Sequence, residues 1–364
     1  TKGKSMVAEE IALNEALIAA EITPIETDLG EYIIQLRNEA PSHIIAPAAH
    51  LIQAQFEESF RAHHTERDPA RRLDTPQELL AEARSEMRRH FREADIGITG
   101  ANFLIAESGA TVIVTNEGNG DLTQTLPRVH IVVTSIEKVL PTTEDMAVIL
   151  RLLTRSATGQ EISSYVSISN GARQAGDLDG PEEFHVVLVD NGRSDLLGGE
   201  FSEILRCIRC AACLNHCPVY QHVGGHAYGW VYPGPMGAVL TPSFIGIEEA
   251  RALPNASSFC GRCEEVCPMR IPLPKLMRFW RDRQYARRVG SAWGRWGLGL
   301  ASYVMMSPIR WRFSLGLAGF GLRFLARLRR GKISSLPLAG GWFAKRDMVV
   351  STKPNFWRQY RGRK

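Results

Sequence analysis

All seven cysteines of this 364-residue chain fall between Cys207 and Cys267, and their spacing is that of metal chemistry. The first run reads Cys207-Ile-Arg-Cys210-Ala-Ala-Cys213-Leu-Asn-His-Cys217-Pro218; the second reads Cys260-Gly-Arg-Cys263-Glu-Glu-Val-Cys267-Pro268. Closely spaced thiolates in a tight loop can hold three corners of a cubane iron–sulfur cluster, and the last cysteine of a C-x2-C-x2-C-x3-C-P run serves the other cluster in two-cluster proteins. Crossing the ligands in this way gives a first cluster on Cys207, Cys210, Cys213 and Cys267, and a second on Cys217, Cys260 and Cys263. A complete second motif would begin at position 257, where this chain has Ser257. The expected cofactors are therefore two iron–sulfur clusters, with 4Fe–4S the expected kind at the four-cysteine site. The second is either 3Fe–4S or a 4Fe–4S cluster whose fourth ligand is Ser257, water, another side chain or a partner group.

Structural zinc also uses paired cysteines, but it favours two C-x2-C pairs over three consecutive cysteines with Cys-Pro endings. An odd, clustered set does not suit a disulfide scaffold. Arg206, Arg209, Arg262 and Arg270 crowd the motifs, and a cation beside a cluster would raise its potential; pairing with acids such as Glu264 and Glu265 is the structural alternative. His216, His222 and His226 lie among the cysteines, where a hydrogen-bonded structural histidine is the commoner role.

Outside the cysteines, chemistry is harder to place. No G-x-G-x-x-G follows a strand and no P-loop is present, so the usual signs of dinucleotide and nucleotide sites are missing. The segment Gly97–Gly109, followed by Thr115-Asn-Glu-Gly-Asn-Gly120, is dense in small and polar residues at strand ends, where α/β folds place ligands. Glu107, Glu117 and Asn119 are the candidates for a cleft there, against the plainer reading of turn formers and solvated acids.

These residues need elements to hold them. Alternating helical and strand patterns from about Ala8 to Leu197 predict an α/β domain over residues 1–197. Thr75-Pro76-Gln77-Glu78 predicts a capped helix to about Glu93, with Leu80, Met87 and Phe91 at helical spacing. Strands are expected at His43–Pro47, Thr111–Thr115, Val129–Ser135, Tyr165–Ser169 and His185–Val189, in a sheet of mixed order with crossover and hairpin connections. A helix after Thr143 presents Met146, Leu150 and Leu153 on one side. From residue 198 the strand signal stops, and a mostly helical cysteine domain is expected over 198–290.

The formal charge of +4 conceals an asymmetry. From Arg283 to Lys364 there are 18 Lys and Arg and one acid, Asp347, a net of +17. The remaining 25 basic and 38 acidic residues give −13. A basic extension over 291–364 holds apolar stretches at Trp296–Met306 and Phe313–Leu325, interrupted by Pro308, Arg310 and Arg312 before the ~20 residues that a membrane span needs. Gly316, Gly319 and Gly321 read as close-packing positions. The extension suits docking to an acidic partner, more than to anionic lipid, and carries no nucleic-acid reader motif. The start, Thr1-Lys2-Gly3-Lys4-Ser5, has neither Met nor a signal-peptide run and reads as a chain cut upstream. The expected compartment is the reducing cytoplasm, with peripheral contact at the inner membrane face as an option for the tail.

Taken together, Gly97-Ile-Thr-Gly-Ala-Asn-Phe103, Thr115–Gly120, Thr125-Leu-Pro-Arg-Val-His130, Asp177-Leu-Asp-Gly-Pro-Glu182, both cysteine runs, Gly224-Gly-His-Ala-Tyr-Gly229 and Tyr232-Pro-Gly-Pro235 resemble the lactate utilization protein B family. The resemblance spans nearly the whole chain and is weakest in the tail. It implies an α/β domain similar to the CoA-transferase and ribose-phosphate-isomerase fold, then an α-helical ferredoxin domain. It also implies seven cluster cysteines that map onto the seven here, and an N-terminal segment preceding Thr1. The family's role implies an iron–sulfur electron-transfer subunit that works with companion lactate-utilization subunits in oxidising L-lactate to pyruvate, with an acceptor that the sequence does not name. Two rival readings stand beside it. One is an acyl or CoA transferase with Glu117 as nucleophile and regulatory clusters; the other is an assembly scaffold that the clusters merely staple.

Overall fold

The computed structural model describes residues 1–329, 331–337, 339–350, 356 and 360. The capped helix runs over Pro76–Glu93. Thr75 Oγ1 accepts the Glu78 amide at 3.3 Å, and Glu78 Oε2 accepts the Thr75 amide at 3.0 Å, so two otherwise orphaned donors are satisfied reciprocally. Leu79, Ala83, Met87 and Phe91 form its buried stripe, packed with Tyr32, Ile33, Phe60 and Leu73. Leu80, expected on that stripe, is 48% exposed. One residue along a helix turns the side chain by roughly 100°, enough to carry it off the core face.

Seven strands follow: β1 (Ile96–Thr99), β2 (Phe103–Ile105), β3 (Thr111–Thr115), β4 (Val129–Ser135), β5 (Val139–Leu140), β6 (Tyr165–Ser169) and β7 (Glu183–Val189). They form two sheets instead of the single mixed one expected from the pattern. The first, ordered β1-β4-β7, is wholly parallel, with Ile96 opposite Val129 and Val129 opposite Glu183. The second, ordered β5-β2-β3-β6, contains the antiparallel β2–β3 hairpin and a parallel β2–β5 pair. Crossover connections thus occur in both sheets, and the hairpin in the second alone. β1, β2 and β5 carry too few residues to leave a period-2 signal. In β1, a side chain on Gly97 would put Cβ 1.8 Å from the Thr123 carbonyl oxygen, so the small residue is required by close backbone approach.

The expected strand His43–Pro47 is a loop. Its hydrogen bonds are spent locally: His43 Nδ1 accepts the amides of Ile45 and Ala46, both at 3.1 Å, and the Ser42 amide donates to Pro47 O at 3.0 Å. The helix after Thr143 spans Thr143–Thr158, with Met146 and Leu153 buried and Leu150 packed beside them.

Between residues 198 and 287 the described chain contains short helices and 3-10 turns and no strand. Cys210 and Ala212 pack in one core with Phe103, Ile105, Val112, Met146 and Leu153, so the first cysteine loop is seated directly on the α/β layer. Thr1–Arg287 form one compact unit and Arg288–Lys364 a second.

In the second unit, helices Ala292–Met305 and Pro308–Leu328 pack against each other, followed by a short pairing of Lys332–Ile333 with Met348–Val349. Within the expected basic extension, Arg330, Leu338 and residues 351–355, 357–359 and 361–364 lie outside the described residues. Gly316, Gly319 and Gly321 are not close-packing positions: an added Cβ on any of them would meet nothing within 4 Å. Among the described residues no helix is long and apolar enough to cross a membrane.

Candidate metal centres

The two cysteine runs share a backbone pattern. Arg209 and Ala211, on either side of Cys210, have φ of 60° and 62°; Phe259 and Gly261, on either side of Cys260, have 55° and 81°. Left-handed conformations at bulky residues such as Arg and Phe are uncommon and cluster at functional sites. Each is followed by a four-residue helix, Ala212–Asn215 with Cys213 and Arg262–Glu265 with Cys263, and each run closes on a Cys-Pro pair. In this alignment Ser257 stands opposite Cys207.

Two small cavities divide the cysteines. Cys207, Cys210, Cys213 and Cys267 border one, with Ile44 and Arg209. Cys217, Cys260 and Cys263 border the other, with Ser257 and His216. Among the described residues no three His, Cys, Asp or Glu side chains converge so as to hold a single ion. Each set of thiols borders a cavity, the arrangement that a multi-atom cluster requires.

Burial pushes the Cys210 thiol up to about 11 and Cys263 up to about 12, and holds Cys213 well above the ordinary thiol range. Nearby amides act in the opposite sense, and the Ile271 amide donates to Cys267 Sγ at 3.4 Å. Cysteine ligates as thiolate, so loading such a site releases protons.

Of the four arginines near the motifs, Arg206 pairs with Glu203 and Arg262 with Glu265 at the surface, and Arg270 is exposed. Arg209 differs. Its NH2 lies 2.9 Å from Glu137 Oε1, and its guanidinium sits 4.7 Å from the Tyr232 ring centre. Glu137 Oε2 in turn lies 2.7 Å from Arg193 Nε, and the fully buried Arg193 grips both oxygens of Glu10 at 2.7 and 2.6 Å. Tyr232 donates to Glu10 Oε2 at 2.7 Å. This buried row of alternating charge links the cysteine loop to the α/β layer, and no local sequence signal marks it. His216, His222 and His226 hydrogen-bond the carbonyls of Ala212, Pro218 and Ala40 at 2.9, 2.6 and 2.8 Å, which are structural roles.

A cleft of about 360 Å³ lies at the C-terminal ends of β1 and β3, closed by helix Thr143–Thr158 and the segment Gly3–Met6. Glu117 and Asn119 border it; Glu107 does not. Glu107 Oε1 accepts the amide and the hydroxyl of Thr143, both at 2.8 Å, and so caps that helix. Burial first, and then the Asp28 charge, push the Glu117 carboxyl up. Lys4, Asn102 and Lys138 also border the cleft; Asn102 falls in the Gly97–Gly109 segment marked in the sequence, whereas Lys4 and Lys138 carry no such mark. The cleft shares Ile44 and Arg209 with the four-cysteine cavity. A further cavity of about 490 Å³ is bordered by Asn102, Lys138, Arg209 and Cys207.

The sequence matches the LUD domain over residues 4–189 and the 4Fe-4S dicluster domain over residues 203–271. It is 50% identical over 310 residues to lactate utilization protein B of Shouchella clausii, covering 84% of this chain and 64% of that protein. It is 53% identical over 277 residues to the protein of that name from a Geobacillus species, covering 76% and 58%. With lactate utilization protein B of Geobacillus kaustophilus it shares 45% identity over 366 residues, covering 99% of this chain and 75% of that one. The chain thus spans less than two thirds of the length of the first two relatives. With both domains matched in order and this level of identity over nearly its whole length, the chain belongs to the lactate utilization protein B family.

Proposed function

We propose that this chain is the iron–sulfur electron-transfer subunit of a complex that oxidises L-lactate to pyruvate, acting with companion lactate-utilization subunits. The observation that carries the reading is the division of the seven cysteines between two cavities, four around one and three with Ser257 around the other. Cys207, Cys210, Cys213 and Cys267 would hold the first cluster, and Cys217, Cys260 and Cys263 the second. A bound iron–sulfur cluster supplies a one-electron carrier whose potential is set by charge, hydrogen bonds to sulfur and burial.

The chain's own residues supply those controls. Arg209, fixed by Glu137, holds a cation against the four-cysteine cavity. The Ile271 amide bonds the Cys267 sulfur. Cys210, Cys213, Cys217 and Cys263 are buried and Cys207 and Cys267 partly so, whereas Cys260, at the second site, is exposed. That asymmetry supports the first site as a relay and the second as the point of exchange with a partner. The names of the relatives support lactate as the substrate of the complex.

Anaerobic iron and sulfide analysis with EPR of the oxidised and reduced chain tests the cofactors. Cys210→Ser is expected to abolish lactate-dependent electron flow in the reconstituted complex. Unchanged flow in a cluster-depleted variant would overturn the reading.

A further inference from the structure

The α/β cleft contains donors that the cysteine chemistry leaves unused. Lys138 Nζ donates to Ala101 O at 2.8 Å and forms no ion pair among the described residues. Asn102 Oδ1 accepts the Val114 amide at 2.9 Å, which leaves its Nδ2 without a partner among the described residues. Both side chains border the cleft and also the cavity that reaches Cys207. The cleft's two acids belong to its other end. Asp28 Oδ1 caps the helix Leu29–Arg37 through the amides of Gly30 and Glu31, and its charge acts on Glu117. At the Lys138 end Arg209 adds a second cation; burial first, and then the Arg209 charge, push Lys138 down to about 8, with the charge of Glu137, itself paired to Arg209, acting the other way. An ammonium beside another cation, with no carboxylate paired to it, is a position that an anionic ligand stabilises.

We propose that the Lys138 end of this cleft binds the carboxylate of a small organic acid, with Lys138 as its counter-ion and Asn102 Nδ2 as a second donor. The ligand would lie in a space that adjoins the four-cysteine cavity through Arg209 and Ile44. Only the choice of acid rests on the lactate reading above.

The test is anaerobic titration calorimetry of the cluster-loaded chain with L-lactate, pyruvate and inorganic phosphate in turn. Binding of lactate or pyruvate is expected, weakened at least tenfold by Lys138→Met and largely kept by Lys138→Arg. Asn102→Asp keeps the acceptor for Val114 while replacing a donor with a negative charge, and should also weaken binding at least tenfold. Absence of binding by either acid, binding of phosphate alone, or unchanged affinity in Lys138→Met and Asn102→Asp overturns the site. EPR on the same samples separates the two readings: intact clusters without acid binding sink the site and leave electron transfer standing.

The second unit presents a surface of another kind. Trp293, Trp296, Tyr303, Ile309, Phe313 and Phe320, on its two helices, are between 62% and 83% exposed. Met305 and Met306, adjacent and so pointing to different sides, are 63% and 79% exposed. From Arg288 to Arg346 the sequence has no acid, and Arg310 sits 3.7 Å from the Tyr303 ring centre. Exposed aromatic and aliphatic side chains thus stand beside charge of a single sign, the pairing by which a basic helical segment recognises an anionic surface. We infer that this helical pair lies flat on an anionic lipid bilayer, with its aromatic residues at the acyl boundary and its arginines among the headgroups.

Sedimentation of the full chain with phosphatidylglycerol vesicles should show binding at low salt, at least tenfold weaker on pure phosphatidylcholine. Trp293→Ser, Trp296→Ser and Phe313→Ser together should remove it with the circular dichroism unchanged, since all three side chains are exposed. No binding to the anionic vesicles, an unaltered triple variant, or capture by polyglutamate without vesicle binding would each overturn the inference.

Discussion

Arg209 NH2 lies 2.9 Å from Glu137 Oε1, so the residue that precedes Cys210 is fixed by a carboxylate in the 3-10 turn after β4. The other oxygen of Glu137 faces Arg193 Nε at 2.7 Å. Glu137→Gln would leave two buried guanidiniums with only the Glu10 carboxylate between them. Removing one partner of a buried pair costs about 3–5 kcal/mol, and urea unfolding should show a loss of that order together with poorer retention of iron. Arg206→Ala breaks an exposed pair with Glu203 and should change stability by no more than about 1 kcal/mol. Equal effects from the two variants would show that the buried row does not organise the cysteine loop.

His130 in β4 shares a hydrogen bond of 2.8 Å with Thr99 in β1, and burial pushes its imidazole down to about 4. The unfolded value is about 6.5, so between those two pH values the unfolded chain binds the proton and the folded chain does not. Stability is therefore full above about pH 6.5 and falls as the pH drops toward 4, by roughly 3 kcal/mol from this residue. Denaturation followed against pH should show this acid limb, and His130→Gln should flatten it.

Gly225 closes the contact between the cysteine region and the loop before Ile44. A Cβ there would lie 1.6 Å from Ser42 O, an oxygen that also accepts the Tyr220 hydroxyl at 2.7 Å. Backbone cannot yield as a side-chain tip can, so Gly225→Ala should cost about 3 kcal/mol or more. At Gly229, φ is 67° and nothing lies within 4 Å, so Gly229→Ala meets only backbone strain of about 1–2 kcal/mol. Thermal melts of the two variants should separate by several degrees, and Gly225→Ala melting as high as Gly229→Ala would contradict the packing.

Local signals account for what the sequence disclosed. The Thr75–Glu78 capping box, the strands Thr111–Thr115, Val129–Ser135 and Tyr165–Ser169, and the helix after Thr143 all announce themselves within a few residues. The cysteines do the same through their spacing. The cleft is legible only in part: the segments Gly97–Gly109 and Thr115–Gly120 mark two of its walls, whereas Lys4, Lys138 and Arg209 are far apart in the chain and only the tertiary fold brings them together. Glu107 misled for a related reason: an acid at a strand end looks alike whether it faces a ligand or caps the next helix. His43–Pro47 has strand composition, but its histidine takes the amides that a sheet would have used.

Ser257 occupies in the second run the place that Cys207 holds in the first, and it borders the cavity of Cys217, Cys260 and Cys263. Its Oγ accepts the Phe259 amide at 3.2 Å, a bond within the chain's own turn. A thiolate is a far better iron ligand than a serine hydroxyl, whose proton is held much more tightly. Ser257→Cys should therefore raise the iron kept per chain after gel filtration in air and change the EPR spectrum of the oxidised protein. The exchange is nearly isosteric and the side chain is partly exposed, so folding should be unaffected. Cys260→Ser is the matching loss and should lower iron at the same site. If Ser257→Cys left both iron content and spectrum unchanged while Cys260→Ser depleted the site, position 257 would have no part in the second metal shell.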